Sequence, residues 1–197
     1  MKKIGIVGGT FNPIHLGHLI IAERFIDEME LDKALLIPTN ISPFKAGIDK
    51  DFVDPIHRIN MLKIAVEKNP RFDIDLCEIE RGEASYTIDT VRYLNAKLDA
   101  ELYLLIGEDQ AEKFHLWKDY KEIMEIVQVC VARRNEENTE KRVYSEEFIK
   151  NSIFIDSPII EFSSTEIRAR IKNGKSVKYM TDDNIIDYIL DKELYKR

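Results

Sequence analysis

A chain of 197 residues is long enough for one domain with a sizeable core. Hydrophobic residues make up 44% and charged residues 33%, a balance that excludes a disordered chain. The net charge of -7 argues against a protein that coats nucleic acid, while leaving room for a local basic pocket around a small anionic ligand.

The first element in chain order is Ile4-Gly5-Ile6-Val7, a short β-branched run of strand length. Gly8-Gly9-Thr10-Phe11-Asn12-Pro13-Ile14-His15-Leu16-Gly17-His18 follows, and residues 19–26 then have helical composition. Strand, glycine-rich turn and helix are thus expected in sequence. Ala34-Leu35-Leu36-Ile37-Pro38 reads as a buried strand ending in the polar loop 39–45. A helix is predicted over 55–68, with Pro55 in its first turn and Ile59, Leu62 and Val66 on one side. Residues 72–76 alternate as a strand does, and Ser85 is placed to cap a helix carrying Ile88, Val91 and Leu98.

Residues 101–106 form the clearest buried strand, closed by Gly107-Glu108-Asp109. Helical stretches around 111–116 and up to Met124 precede a strand at 127–132. The charged segment 133–142 lacks apolar periodicity and is predicted to be a mobile loop. A last short strand at 153–155 leads to helices at about 163–172 and 182–190. The alternation implies an α/β, Rossmann-like, doubly wound parallel sheet with helices on both faces, in one domain over 1–197 with a short C-terminal helical part from about 163. Ligands in such folds sit beyond the carboxyl ends of the strands. The turns after Val7, Ile37, Ile106 and Ala132 would meet there.

Cys77 and Cys130 lack the spacing of a metal or redox motif and are expected to be buried free thiols in a reducing compartment. The N-terminal apolar run is cut by Gly8-Gly9, and no other stretch approaches the length of a membrane span. A cytoplasmic protein without membrane or nucleic-acid partners is therefore expected; a homo-oligomer is left open.

Glycines let main chain approach a ligand, and a following helix offers free N–H groups and a positive dipole end, so the first turn suits phosphate. His15 and His18 are spaced to share one helix face and one ligand. Their imidazoles can donate to phosphate oxygens. Near the other end, Ser163 and Glu166 in Phe162-Ser163-Ser164-Thr165-Glu166-Ile167-Arg168 have capping-box spacing. That helix start, with two further hydroxyls and Arg168, is either a plain cap or a polyphosphate cradle.

Together these two end motifs resemble those of the His-x-Gly-His nucleotidyltransferase superfamily. Pro38 to Lys45, Ser85-Tyr86-Thr87, Ile106-Gly107-Glu108-Asp109 and Trp117 fall in the order seen in the bacterial nicotinate-nucleotide adenylyltransferases. The resemblance covers nearly the whole chain. It implies adenylyl transfer from ATP to nicotinate mononucleotide, giving deamido-NAD and pyrophosphate, with Mg2+ carried by ATP. It further implies that His15, His18, Lys45 and Arg168 carry the catalysis. Gly8, Gly9, Thr10, Phe11, Gly107, Asp109, Arg134, Ser163, Ser164 and Thr165 would join both histidines and Arg168 around ATP. Thr10, Asn12, Asn40, Lys45, Thr87 and Trp117 would hold the acceptor nucleotide, with Trp117 against the pyridine ring; core packing is the other reading of Trp117.

The chain departs from the family pattern at Asn12, where Asp is common, and at Ser42-Pro43-Phe44-Lys45, where Pro-Pro-His-Lys is usual. Arg133-Arg134-Asn135-Glu136 also lacks the usual Arg-Pro-Gly turn. Competing acceptors are nicotinamide mononucleotide and phosphopantetheine. A nucleotide-binding module without turnover is the alternative from another class. Asp49, Asp51 and Asp54 are read as a solvated loop rather than a metal site.

Overall fold

The computed structural model describes residues 1–41, 52–134 and 144–196. Six strands form one sheet: β1 (Lys2–Gly9), β2 (Lys33–Pro38), β3 (Phe72–Ile74), β4 (Ala100–Gly107), β5 (Gln128–Arg134) and β6 (Ser152–Ser157). Every pair is parallel and the spatial order is β3-β2-β1-β4-β5-β6. The chain moves outward from β1 to one edge and then, from β4, to the other. A crevice therefore opens between β1 and β4 at their carboxyl ends, where the winding reverses.

The helices are α1 (Leu16–Met29), α2 (Pro55–Glu67), α3 (Cys77–Arg81), α4 (Thr87–Lys97), α5 (Glu108–Ala111), α6 (Tyr120–Ile126), α7 (Glu146–Asn151), α8 (Ser164–Lys172) and α9 (Asp183–Asp191). Among the described residues none is long and apolar enough to cross a membrane. Two cores flank the sheet. Phe25, Ile26, Met61, Leu62, Ile185 and Ile189 pack α1, α2 and α9 on one face. Ile88, Val91, Leu94, Phe114, Ile123 and Phe148 cover the other. Each strand that is buried on both sides supplies both cores, as a parallel sheet requires: Ile4 and Ile6 belong to one and Val7 to the other.

Pro55 stands in the first turn of α2 as expected, and Asp54, one residue earlier, accepts from the Ile56 N–H at 2.9 Å. Asp54 is thus a helix cap; Asp49 and Asp51 lie outside the described residues, as does most of the 133–142 loop. Both cysteines are buried and free, and burial pushes each thiol up to about 12, so neither is a nucleophile at neutral pH.

Several elements differ from the sequence expectation. The alternation at 72–76 yields strand only over Phe72–Ile74, because the chain turns into α3. That five-residue helix and the six-residue α7 are too short to show helical periodicity. The expected helix at 111–116 is two pieces, α5 and a 3-10 turn over Phe114–Leu116. Ser85 does not cap α4, whose N-cap is Tyr86 without a side-chain bond; its hydroxyl accepts the Asn40 N–H instead, at 2.9 Å.

Candidate active site

β1 delivers the chain to the sheet edge, and residues 10–15 turn it into α1, for which His15 is the N-cap. Two glycines make room inside this turn. A Cβ on Gly9 would lie 2.9 Å from the Phe11 ring, and one on Gly17 would lie 2.9 Å from His15 Nδ1. Phe11 itself takes a left-handed φ of 47°, an uncommon conformation for a bulky residue. Gly8, by contrast, has nothing among the described residues within 4 Å of a Cβ built there.

The ring centroids of His15 and His18 are 3.7 Å apart, and Phe11 stands edge-on to His18 at 5.1 Å. The His15 N–H donates to His18 Nδ1 at 3.2 Å. A neutral His18 must then carry its proton on Nε2, which makes that atom a donor. Burial lowers His15 to about 4. Burial and the neighbouring imidazole hold His18 well below the ordinary histidine value. Without a ligand, both rings are therefore neutral at neutral pH.

The carbonyls of this turn are engaged one after another. Gly9 O accepts from the Thr39 N–H at 2.9 Å, and Thr10 O from Arg58 Nη1 at 2.9 Å. Asn12 O accepts from Arg168 Nη1 at 2.9 Å, Pro13 O from Ser164 Oγ at 2.8 Å, and Ile14 O from Thr181 Oγ1 at 2.9 Å. The Leu16 N–H donates to Met180 O, and Tyr195 Oη to Asn12 Oδ1. The C-terminal helical part thus closes around the N-terminal turn. Ser163 caps α8 by accepting the Glu166 N–H at 3.3 Å, and the Ser164 bond to Pro13 O holds this helix start against the turn. Phe162 meets His15 edge-on at 5.5 Å.

A cavity of about 680 Å³ lies across the turn, in the β1–β4 crevice. Gly8, Gly9 and Thr10 form one wall, Thr87 and Trp117 another, and Gly107 and Gln110 its β4 side. Trp117 packs in the core and also borders the cavity. Its ring packs on Phe114 at 5.1 Å while lining the cavity, and its buried Nε1 has no hydrogen-bond partner among the described residues. Asn40 sits at the exit of β2, its main chain tied to Ser85 and its side-chain amide donating to Glu83 O at 3.2 Å. Asp109 is exposed beside the cavity and accepts from Gln110 Nε2 at 3.0 Å.

His15, His18, Arg168 and the start of α8 gather on one side of the turn, and Thr87, Trp117 and Gly107 on the other, with Thr10 between. Lys45 and the Phe44 loop lie outside the described residues, and so does the side chain of Arg134. Sequence reasoning missed Glu78, Thr90, Gln110 and Lys118, which also line the cavity. Glu78 is the least expected of them: it is buried, accepts from Thr90 Oγ1 at 2.8 Å, and burial raises its carboxyl above the usual range. Also missed was Arg58, fully buried beneath the turn. Its place within the apolar repeat of α2 was the available signal.

Residues 6–170 match the family model described as Cytidylyltransferase-like. The nicotinate-nucleotide adenylyltransferase of Bacillus subtilis is 36% identical over 197 residues, covering all of both chains. A probable nicotinate-nucleotide adenylyltransferase of Lactococcus lactis is 36% identical, covering 100% of this chain and 96% of its own. Among solved structures, the nicotinic acid mononucleotide adenylyltransferase of Plasmodium falciparum complexed with NaAD shares the fold, with a TM-score of 0.75 at 20% identity, covering 99% of this chain and 98% of its own. On this evidence the chain belongs to the Cytidylyltransferase-like family, among the bacterial nicotinate-nucleotide adenylyltransferases.

Proposed function

We propose that the protein transfers the adenylyl group of ATP to nicotinate mononucleotide, releasing pyrophosphate and forming deamido-NAD. The observation that carries this reading is the docking of α8 on the histidine turn, with a ring-lined cavity directly across that turn. One side offers imidazoles and a helix start to a polyphosphate. The other offers a flat aromatic face and hydroxyls to a nucleotide.

In this reaction an oxygen of the acceptor's phosphate forms a bond to the α-phosphorus, the α–β bridging bond breaks, and its electron pair leaves with pyrophosphate. The nucleophile is already an anion, so no strong base is required. Bringing two anions into line and stabilising the departing charge is the whole problem. His18 Nε2–H would be a donor from a half-buried ring, and the charge developing on pyrophosphate would strengthen its bond at the transition state. His15 stacks on His18 and holds its tautomer through the His15 N–H. Arg168 braces the turn through Asn12 O and brings positive charge to the α8 side, where Ser163 to Thr165 would meet the β and γ phosphates.

On the acceptor side, Trp117 would stack on the pyridine ring, and Thr87 with the main chain at the start of α4 would meet its carboxylate. Asn40 would reach the same nucleotide from β2. Gly107 and Asp109 would hold the ATP ribose, a carboxylate being well matched to sugar hydroxyls. Among the described residues the histidine turn offers imidazoles, hydroxyls and N–H groups but no carboxylate cage. Mg2+ would therefore enter bound to ATP oxygens and neutralise part of their charge. By the resemblance Lys45 would act near the reacting phosphates, and Arg134, whose turn departs from the family's Arg-Pro-Gly, is assigned to the adenine side.

Mixing the protein with ATP, magnesium and nicotinate mononucleotide tests the reading. Release of pyrophosphate together with deamido-NAD supports it; tight ATP binding without release would mark a sensor.

A further inference from the structure

Arg58 is fully buried at the centre of the site yet touches no part of the cavity. Its Nη1 donates to two carbonyls, Thr10 O at 2.9 Å and Thr39 O at 2.8 Å, which end the neighbouring strands β1 and β2. Phe52 lies over the guanidinium, 4.7 Å from it to the ring centroid. Nε and Nη2 have no hydrogen-bond partner among the described residues, and no described carboxylate forms an ion pair with this side chain. Burying a charge with so few bonds is costly, and a methionine or leucine would fill the same space without that cost.

The geometry shows what the charge does. The Thr10–Phe11 peptide is trans, so the Phe11 N–H points opposite to the Thr10 carbonyl. With that carbonyl drawn to Arg58, the Phe11 N–H is directed away from Arg58, next to Thr10, a residue of the cavity lining. This N–H has no partner among the described residues. If the carbonyl turned over instead, it would present a negative oxygen where the phosphates pass.

We infer that Arg58 is a positioning residue for the phosphate turn, holding the Thr10 carbonyl away from the substrates so that the Phe11 N–H is preset as a phosphate donor. The same bond to Thr39 O fixes the exit of β2, which leads into Asn40. Its charge also acts at short range through low-dielectric surroundings. This inference rests on the adenylyl-transfer reading of the site and adds a residue that does not itself touch substrate.

The test uses the full-length protein with Arg58→Gln and Arg58→Lys, measuring turnover per folded molecule and ATP affinity without acceptor. Removing a preset donor lowers turnover about a hundred- to a thousandfold; Arg58→Gln leaves the Phe11 N–H in place but unfixed, so a loss of about tenfold or more is expected, with weaker ATP binding. Arg58→Lys keeps the charge and can reach one carbonyl well, and is expected to recover part of the loss. Turnover within twofold of wild type in folded Arg58→Gln overturns the inference, since a purely structural role changes the folded fraction and not the rate per site. Should Arg58→Gln fail to fold, Arg58→Lys decides by the same criterion: a loss near tenfold supports the inference and a loss under twofold overturns it. Absence of turnover in the wild type counts against the adenylyl-transfer reading instead. The inference is then decided by ATP affinity alone: weaker binding in the variant supports it and equal binding overturns it.

Discussion

The Tyr195 hydroxyl donates to Asn12 Oδ1 at 2.8 Å, joining residues 183 positions apart in a buried contact. It is the last of a series through which the C-terminal part grips residues 12–16, after Arg168, Ser164, Thr181 and Met180. Tyr195→Phe removes that donor from a buried acceptor. A loss of about 1–2 kcal/mol in unfolding free energy is expected, with a smaller turnover loss than at the histidines, because the other braces remain. Chemical denaturation of both proteins checks it; equal stability would make the contact incidental.

In the proposed reaction His18 acts as an oxyanion-hole-type donor. His18→Ala is expected to cut turnover about a hundredfold or more while circular dichroism stays that of the folded protein. Near-normal turnover would remove His18 from the chemistry.

Trp117→Ala separates the proposed stacking on the acceptor from packing on Phe114. Loss of stacking is expected to raise the acceptor KM by about tenfold, in line with about 1–1.5 kcal/mol for an aromatic pair, and to leave the ATP KM nearly unchanged. A loss of stability with both KM values intact would assign the ring to the core alone.

The unliganded protein should lose stability as pH falls from about 6.5 to about 4. In that window an unfolded histidine takes up a proton that folded His15, lowered to about 4 by burial, refuses. The unfolded state binds more protons, so unfolding is favoured as pH drops. At about 1.4 kcal/mol per pH decade the loss from His15 approaches about 3 kcal/mol. Unfolding of wild type and His15→Asn across this range checks the sign; the variant should show a flatter profile, and identical profiles would contradict it.

The reaction was legible from the resemblance of the two end motifs to a known superfamily, while their spacing showed only local geometry: a turn into a helix, and a capped helix start. The parallel sheet followed from alternating strands and helices. What stayed hidden depends on contacts between distant segments. Ser85 reads as a cap because its hydroxyl precedes a helix, yet the fold brings Asn40 within reach of it first. Arg58 shares the buried side of α2 with Met61, Leu62 and Ala65, a place the helical repeat indicates but that is easily passed over because an arginine is ordinarily solvent-facing. Glu78 sits in a helix of five residues, too short for periodicity to reveal which side is buried. Tyr195 lies in the last turns of the chain, where nothing local shows that the segment folds back beneath residue 12.

The central claim is the choice of acceptor, and parallel steady-state kinetics with nicotinate mononucleotide, nicotinamide mononucleotide and phosphopantetheine, each with ATP and magnesium, test it most directly. The highest kcat/KM is expected for nicotinate mononucleotide, with pyrophosphate and deamido-NAD formed in equal amounts. A higher kcat/KM for either of the others would contradict the account.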